Sequence, residues 1–462
     1  MKMKKILSLG LATVMGASLL AGCGVSTEDA ASSAADETSA AASSAAAETS
    51  STDSSASAGG SVKLFNGKIE IADAVDAMAA AYEEETGVHV EVESVGGGVD
   101  LQATLKQYYQ AGNMPDIFIG EGWTDFSNWD GMMADLSGEE WTERTETEFV
   151  VDEEGAQSNG LTVGFPYTTE AIGLAYNKEI LDAAGIDPST LTSPDAYKEA
   201  FELLDSKKDE LGITAAVGYC AESSSLYWSS GQHIFGQYID AGLSRDDTTY
   251  IDLLNDGGQY DTDRLTDFAN FVALLNQYSD PSLLVSGTYD QQVQNFAAGK
   301  YAFVTQGSWI GASMTSADAY ASDYEAAGNF ECGFAPYAFE DGIDTILTNP
   351  PSWWAVYNEG NVDGAKAFLQ WVSQDGQQYM VEQGGCNSPF SDCTYVADDP
   401  FAQAVSDYTA AGKTSNWHWL DQPGNLAQDY TGVIFQDFAS GSIATAEDFV
   451  DKLVQVTPQC YQ

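Results

Sequence analysis

The sequence predicts an α/β fold divided into two lobes, and two observations lead to this prediction. Strand-like and helix-like segments alternate near the start of the folded part, at 62–65, 74–85, 88–92, 101–111 and 116–119. This order favours a mainly parallel sheet with helices packed against it. About 400 of the 462 residues follow the N-terminal segments, which is more than one hydrophobic core usually holds, so two lobes are expected.

The first segments carry the usual signals for the ends of helices and strands. Asp73 is a candidate N-cap for the helix 74–85, and Gly87 suits the end of that helix. Segment 88–92 alternates apolar and polar residues, as half-buried strands do. Ligands of parallel α/β sheets bind beyond the carboxyl ends of the strands. The loops expected at that rim are 66–68, 96–98 and 120–123, although their glycines would suit plain connections equally well.

A second set of elements begins after residue 163. Segment 171–176 is predicted to be a strand, followed by a helix over 178–184 that ends at Gly185. Ser193 and Pro194 suit the N-cap and first position of the next helix. Further predicted elements are strands at 213–217, 301–305 and 353–357 and helices at 268–278, 291–298 and 362–373.

The N-terminus has the layout of a secretory signal. Three lysines precede an apolar run over 6–20, and the tripeptide Leu-Ala-Gly then leads directly into Cys23. The run is shorter than the about 20 residues that a membrane span needs. A cysteine in this position resembles the lipobox of bacterial lipoproteins. The resemblance implies that residues 1–22 are removed and that Cys23 carries lipid chains in the outer leaflet; the alternative is an ordinary signal with a chance cysteine.

Residues 24–60 differ in composition from everything that follows. They are almost entirely Ala, Ser, Thr, Asp, Glu and Gly, with no aromatic residue, Lys or Arg. Such a segment cannot bury enough apolar surface to offset the cost of ordering. We therefore expect a disordered tether over 23–60, with the folded part starting near Ser61.

Charge and cysteine content exclude several classes of protein. The formal net charge is −53, from 17 basic and 70 acidic residues, which makes nucleic-acid binding untenable and favours solubility at a crowded surface. Five cysteines remain after Cys23, so they cannot all pair within one chain. Cys386 and Cys393 are spaced for a small disulfide loop, which the sequence alone leaves open. Scattered histidines and the lack of a Cys-x-x-Cys pair give no indication of structural zinc, and no cofactor is implied. The acidity leaves calcium open, although the sequence has no Asp-x-Asp-x-Asp-Gly loop.

Several segments of the folded part together carry a family resemblance. They are Ala-Gly-Asn-Met-Pro-Asp-Ile-Phe at 111–118, Phe-Pro-Tyr at 165–167 with Tyr-Asn-Lys at 176–178, Ala-Ala-Gly-Ile at 183–186, Phe-Ala-Ala-Gly-Lys-Tyr-Ala-Phe at 296–303 with Gly-Ser-Trp at 307–309, and Asn-Ser-Pro at 387–389. In this order and spacing they resemble the extracellular solute-binding proteins of sugar-importing ABC transporters, the maltose-binding-protein-like family 1. The resemblance covers essentially all of 61–462.

The resemblance implies a two-lobe, periplasmic-binding-protein-like (type II) fold with a hinge and a central ligand cleft. One lobe would hold 61–168 and 345–388, and the other 169–344 and 389–462. Such proteins capture a sugar or oligosaccharide by hinge closure and deliver it to the transmembrane permease subunits of an ABC transporter. We expect a monomer on the outer face of the cytoplasmic membrane, held there by its lipid anchor only. The acidic tether resembles those of Gram-positive lipoproteins, which favours a Gram-positive cell.

A sugar presents hydroxyl groups and apolar C–H faces, so its site combines aromatic rings with polar and charged groups. By resemblance, Trp309 lies in the family's Gly-x-Trp, whose indole stacks on a sugar ring. Glu170 falls at a hinge-region acid that binds hydroxyls. Asn66 and Lys68 follow the first strand, where relatives place polar contacts. The alternatives are core packing for Trp309, a surface or capping role for Glu170, and a plain turn for Asn66 and Lys68.

The remaining candidate ligand residues are Glu121, Trp123, Glu222, Tyr227, Trp228 and Trp353. The first two follow the predicted strand 116–119, a position that feeds the cleft. The next three follow the strand 213–217 and resemble an acid-plus-aromatic segment of maltodextrin binders. The last lies on a strand whose alternate residues face opposite ways, so core packing is an equal alternative.

Two other classes of protein compete with the binding hypothesis. Secreted glycoside hydrolases also combine tryptophans with carboxylates, but 70 acidic residues will produce such pairs by chance. The Gly-x-Ser-x-Gly and His-Glu-x-x-His motifs are absent from the sequence. A surface adhesin would explain the tether and the acidity but not the order of the family segments. The sequence therefore favours a binding protein that is not an enzyme.

Overall fold

Strands group into three sheets in the computed structural model, which describes residues 60–96, 99–145, 151–152, 162–315 and 320–461. The predicted signal segment, Cys23 and nearly all of the tether lie outside these residues. The strands are β1 (Val62–Asn66), β2 (Val90–Ser94), β3 (Ile117–Gly120), β4 (Val151–Asp152), β5 (Thr162–Pro166), β6 (Glu170–Ile172), β7 (Leu174–Asn177), β8 (Ala215–Gly218), β9 (Tyr301–Val304), β10 (Cys332–Ala335), β11 (Ile346–Asn349), β12 (Trp353–Val356) and β13 (Thr414–Ser415).

Helices surround these sheets. They are α1 (Ala72–Thr86), α2 (Leu101–Gln110), α3 (Trp123–Ser127), α4 (Lys178–Ala184), α5 (Pro194–Ser206), α6 (Lys208–Leu211), α7 (Phe235–Asp240), α8 (Thr249–Asn255), α9 (Thr262–Tyr278), α10 (Tyr289–Ala297), α11 (Ile310–Thr315), α12 (Ala321–Ala326), α13 (Val362–Val372), α14 (Ala402–Ala410), α15 (Gly432–Ala439) and α16 (Ala446–Val456). Shorter turns that position the site are a 3₁₀ turn at Ile69–Ile71, a π turn at Ser229–Ile234 and a 3₁₀ turn at His418–Asp421.

The first sheet has the strand order β2-β1-β3-β12-β5-β4. Strand β1 is parallel to both β2 and β3, as the alternation of strands and helices predicts. The prediction of a mainly parallel sheet is wrong for the other half, because β12 enters from the distant part of the chain and pairs antiparallel with β3 and β5. The carboxyl ends of β1, β2 and β3 still meet at one edge.

The second sheet has the order β10-β7-β9-β8. Strand β7 is antiparallel to both neighbours, whereas β8 and β9 are parallel. Helix α5 packs on this sheet through the buried Tyr197, Phe201 and Leu204. Its N-cap is Ser193, whose side chain accepts from the N–H of Ala196, as predicted.

A small third sheet, β13-β11-β6, carries the chain between the two larger sheets. The single strand predicted over 171–176 is instead two strands in different sheets, β6 and β7. They are separated by Gly173, where a Cβ would lie 2.9 Å from Ile346 and 3.0 Å from the carbonyl oxygen of Ala335. The apolar run is continuous in sequence, so its pattern could not locate this change of sheet.

Other predicted features agree with the structure to within a few residues or are corrected by it. Helix α1 begins at Ala72, so Asp73 lies in its first turn and is not the N-cap. Gly87 ends the helix with a φ of 75°. Within the described residues no disulfide is formed, and Cys386 is a buried thiol. None of the described helices is long and apolar enough to cross a membrane.

Candidate functional site

A buried ion-pair cluster lies where the first sheet meets the third. Lys68 follows β1, and its ammonium pairs with Glu170 at the start of β6 and with Glu70 at 2.6 Å. The Lys68 and Glu170 side chains are 12% and 10% exposed, so this contact is largely shielded from water. Two residues that are 102 positions apart in the chain, and that the sequence predicts as ligand contacts, are thus brought together.

Asn66 holds Lys68 in place. The side-chain amide of Asn66 donates to the carbonyl oxygen of Lys68 at 2.9 Å and to the hydroxyl of Ser94 at 3.0 Å. Its carbonyl oxygen accepts from the backbone N–H of Lys68 at 3.2 Å. Asn66 is fully buried and is not among the pocket-lining residues, so the structure gives it a positioning role behind the pocket. Its predicted direct contact with ligand stays a prediction.

The charges in this cluster depend on one another. Burial alone would lower the pKa of Lys68, but Glu170 and Glu70 raise it well above its ordinary value. Burial raises the pKa of Glu170, and Lys68 partly counters that rise. The ammonium therefore stays charged, and the carboxylates can accept hydrogen bonds from a polar ligand.

A small pocket opens beside the cluster. It is lined by Lys68, Glu70, Ile71, Thr168, Thr169, Glu170, Ser308, Trp309, Ala312 and residues 384–387. Three of the predicted site residues, Lys68, Glu170 and Trp309, lie in this one lining. Polar groups and an indole in one lining are the combination that a sugar requires.

Aromatic rings extend the wall of the pocket beyond Trp309. The Trp309 indole donates to the side-chain oxygen of Gln306 at 3.2 Å, which fixes its orientation. The Trp228 ring lies 6.3 Å from that of Trp309 and 5.9 Å from that of Tyr289. All three rings are partly exposed. The rings of Trp417 and Trp419 are buried behind this wall, at 6.2 and 5.0 Å from His233.

His233 and Tyr289 are site residues that the sequence does not reveal. The His233 ring lies 4.9 Å from that of Trp309, and the nearby charges of Lys68 and Glu70 act on Tyr289. His233 lies in a π turn and meets Trp309 and Trp419 only through tertiary contacts. No local pattern marks such a residue, and three scattered histidines give no spacing signal.

Glu121 directly follows β3, and its charge acts on Tyr227; ligand contact by either residue stays a prediction. Glu121 is exposed, and desolvation by the surrounding protein together with the neighbouring Asp125 raises the pKa of its carboxyl. The acidic groups Glu121, Asp100 and Asp125 in turn act on Tyr227 and help to raise its pKa, after burial. The Trp123 side chain lies outside the described residues.

The loop after β3 lies in close contact with the 418–421 turn. Gly122 has a φ of 114°, and a Cβ there would lie 2.8 Å from the carbonyl oxygen of Leu420. A glycine is therefore needed at this position both for backbone conformation and for close approach. The turn itself is anchored by His418, whose Nδ1 lies 2.6 Å from a carboxylate oxygen of Asp240.

Two predicted ligand residues are placed in structural roles. Glu222 accepts hydrogen bonds from the backbone N–H groups of Ser224 and Ser225, at 2.7 and 2.9 Å. Burial opposes ionisation of Glu222, but these bonds and those from the two hydroxyls lower its pKa to about 2. Trp353 is 3% exposed within the first sheet, paired in register with Gly120 and Pro166. Ligand contact by either residue stays a prediction.

A model of the family described as bacterial extracellular solute-binding protein matches residues 77–410. The chain belongs to this family. A relative of this solute-binding protein is the melibiose/raffinose/stachyose-binding protein MelE of Bacillus subtilis (strain 168). The two are 24% identical over 391 residues, which are 82% of this chain and 85% of MelE.

Solved structures share the fold of this solute-binding protein. The MsmE binding protein of Bacillus subtilis subsp. subtilis str. 168, in an open conformation, has a TM-score of 0.66 at 20% identity and covers 86% of this chain and 97% of its own. A sugar transporter protein of Bacillus licheniformis in complex with stachyose has a TM-score of 0.64 at 16% identity and covers 87% and 100%. The predicted two-lobed α/β fold of the periplasmic-binding type is thereby confirmed.

Proposed function

We propose that this solute-binding protein captures a sugar, and that its ligands are neutral oligosaccharides of the kind named for MelE. The observation that carries the proposal is the pocket that Trp309 lines together with the Lys68–Glu170 ion pair. An indole can cover the apolar face of a sugar ring while charged groups take its hydroxyls. The match to MelE over most of both chains supports the same ligand class.

The proposed binding residues are of two chemical kinds, aromatic and charged. Trp309, Trp228 and Tyr227 would contact sugar faces, and Lys68, Glu170 and Glu121 would bind hydroxyls. Because Lys68 is already paired with two carboxylates, the cluster offers no free positive charge to an anionic ligand such as an acidic sugar, which favours a neutral sugar. Four predicted residues stay candidates of lower rank in this proposal: Trp123, Asn66, Glu222 and Trp353. Asn66, Glu222 and Trp353 rank lower because they already have structural partners.

The proposed mechanism is closure of two lobes around the ligand. We place one lobe at 61–168 with 345–388 and the other at 169–344 with 389–462, joined through β6, β11 and β13. Closure would bring the two walls of the pocket onto the sugar, and the closed form would dock on the permease subunits of an ABC transporter. The protein would act as a monomer and would release its ligand unchanged, so it is not an enzyme in this proposal.

The proposed location is the outer face of the cytoplasmic membrane. Cys23 would carry the lipid, and the acidic segment up to residue 60 would act as the tether. Membership of an extracellular family supports a location outside the cytoplasm. The lipid anchor and the Gram-positive origin rest on the sequence pattern alone.

A thermal-unfolding panel tests the ligand class. Melibiose, raffinose and stachyose should each be added to the full chain, with maltose, a xylo-oligosaccharide and a chitin oligosaccharide as comparison sugars. At 100 times its dissociation constant a ligand adds about 2.7 kcal/mol to the free energy of unfolding, which is easily measured. A shift with the first three sugars alone supports the proposal. A response only to the comparison sugars would contradict the ligand class, and no response at all would contradict sugar binding.

A further inference from the structure

His233 lies at the centre of the aromatic wall. Its ring centroid is 4.9 Å from that of Trp309, 5.0 Å from that of Trp419 and 5.1 Å from that of Trp228. His233 is partly exposed, whereas Trp417 and Trp419 behind it are buried. The imidazole is therefore a polar group set into the otherwise apolar surface that Trp309 and Trp228 present to the cleft.

Neither ring nitrogen of His233 forms a hydrogen bond with the residues that the structure describes. The other two histidines do have partners, because His89 contacts Glu83 at 2.8 Å and His418 contacts Asp240 at 2.6 Å. A polar group in an apolar setting costs free energy unless something supplies a partner. Since His233 is partly exposed and its ring adjoins that of Trp309, solvent or a bound ligand can supply that partner.

The position of His233 ties it to the pocket. Trp309, its nearest ring neighbour, lines the pocket together with Lys68 and Glu170. Burial and the positive charge of Lys68 lower the pKa of His233 to about 3. The imidazole is then neutral at the pH of any ordinary growth medium, with one nitrogen that donates and one that accepts.

We propose that His233 binds a hydroxyl group of the sugar and helps to select which sugar is accepted. This inference rests on the proposed function. A neutral imidazole can pair with a hydroxyl whichever way the hydroxyl points its hydrogen. A sugar that lacks a hydroxyl at this point, or holds it in another configuration, would leave the imidazole without a partner and bind less tightly.

A pair of matched histidine variants tests this role. His233→Phe keeps a planar ring among the tryptophans but removes both nitrogens, and His89→Phe makes the same change at an exposed histidine outside the cleft. We expect the full-length wild type and His89→Phe to bind raffinose equally in a calorimetric titration. His233→Phe should bind about five- to tenfold more weakly, as the loss of one net hydrogen bond predicts. Thermal unfolding without sugar checks that each variant is folded.

The outcomes separate this inference from the proposed function. Equal raffinose binding by the wild type and by His233→Phe would overturn the role of His233 alone. A wild type that binds no sugar of the panel would contradict the proposed function, and the role of His233 would fall with it.

Nuclear magnetic resonance of the wild-type protein gives a second test, which does not depend on the folding of a variant. The chain has only three histidines, so selective ¹⁵N labelling of histidine rings yields few resonances. Raffinose should shift the ring resonances of His233, which stay those of a neutral ring from pH 5 to pH 8, and leave those of His89 in place. Unmoved His233 resonances at saturating raffinose would overturn the inference.

Discussion

Trp309 is the residue on which ligand binding depends most in this account. Its indole lines the pocket beside Lys68 and Glu170, is oriented by Gln306 and adjoins His233 and Trp228. Removing it would take away the largest apolar surface that the pocket offers to a sugar ring. The cost of losing one buried aromatic contact is about 1.5–3 kcal/mol.

Trp309→Ala should therefore weaken raffinose binding roughly 10- to 100-fold in a calorimetric titration. The matched control is Trp371→Ala on α13, whose indole donates to Glu85 and does not line the pocket. It should lower the unfolding temperature and leave the dissociation constant unchanged. Equal effects of the two substitutions on binding would contradict the placement of Trp309 in the site.

The sequence can indicate single residues of the site when they belong to recognisable segments of the chain. It cannot indicate which distant residues these side chains contact. Lys68, Glu170 and Trp309 are predicted one by one and are found in a single lining. Asn66 is predicted as a ligand contact, but the structure uses both ends of its amide to hold Lys68 and Ser94. His233 has no local signal, because Trp309 and Trp419 reach it from distant segments of the chain.

Helices with clear end signals could be predicted well at the scale of elements. Helix α4 has the predicted bounds, and α5 begins at the predicted proline. Segment 171–176 could not be resolved into β6 and β7, since the turn at Gly173 is imposed by Ile346 and Ala335 from elsewhere in the chain. The antiparallel pairing of β12 with β3 likewise depends on tertiary contacts, which the periodicity of a strand does not predict.

The start of α14 carries a pH-dependent prediction through Asp399. One carboxylate oxygen of Asp399 accepts from the backbone N–H of Phe401 at 2.8 Å. The other is buried without a partner among the described residues, and the carboxyl lies against Gly311. Burial raises the pKa of Asp399 from 3.8 to about 7. Because the folded protein then keeps a proton that the unfolded chain has lost, the free energy of unfolding should fall as pH rises from about 4 to about 7.

Asp399→Asn removes this titration while keeping an oxygen that can accept from Phe401. Urea unfolding at pH 5 and pH 8 should show a smaller loss of stability for the variant than for the wild type. Asp398→Asn changes the exposed neighbouring carboxyl and should follow the wild-type behaviour. If the free energy of unfolding falls by the same amount in all three proteins between these pH values, the raised pKa ascribed to the burial of Asp399 is wrong.

For the whole molecule, we propose that a lipid on Cys23 and the acidic segment after it hold the folded binding unit at the membrane. When the full chain is expressed in a bacterium that processes lipoproteins, the wild type should be recovered with the membrane fraction. Cys23→Ala should leave the cell surface, and Ser43→Ala, in the tether, should behave as the wild type. Retention of the Cys23→Ala protein in the membrane fraction would contradict the anchor.

The most direct test of the central claim is a calorimetric titration of the full chain with raffinose, followed by recovery of the sugar. The account predicts saturable binding with one sugar per chain and raffinose recovered intact. Cleaved raffinose would show an enzyme in place of a binder. If the protein binds none of raffinose, melibiose and stachyose, the assignment of this pocket to such oligosaccharides is contradicted.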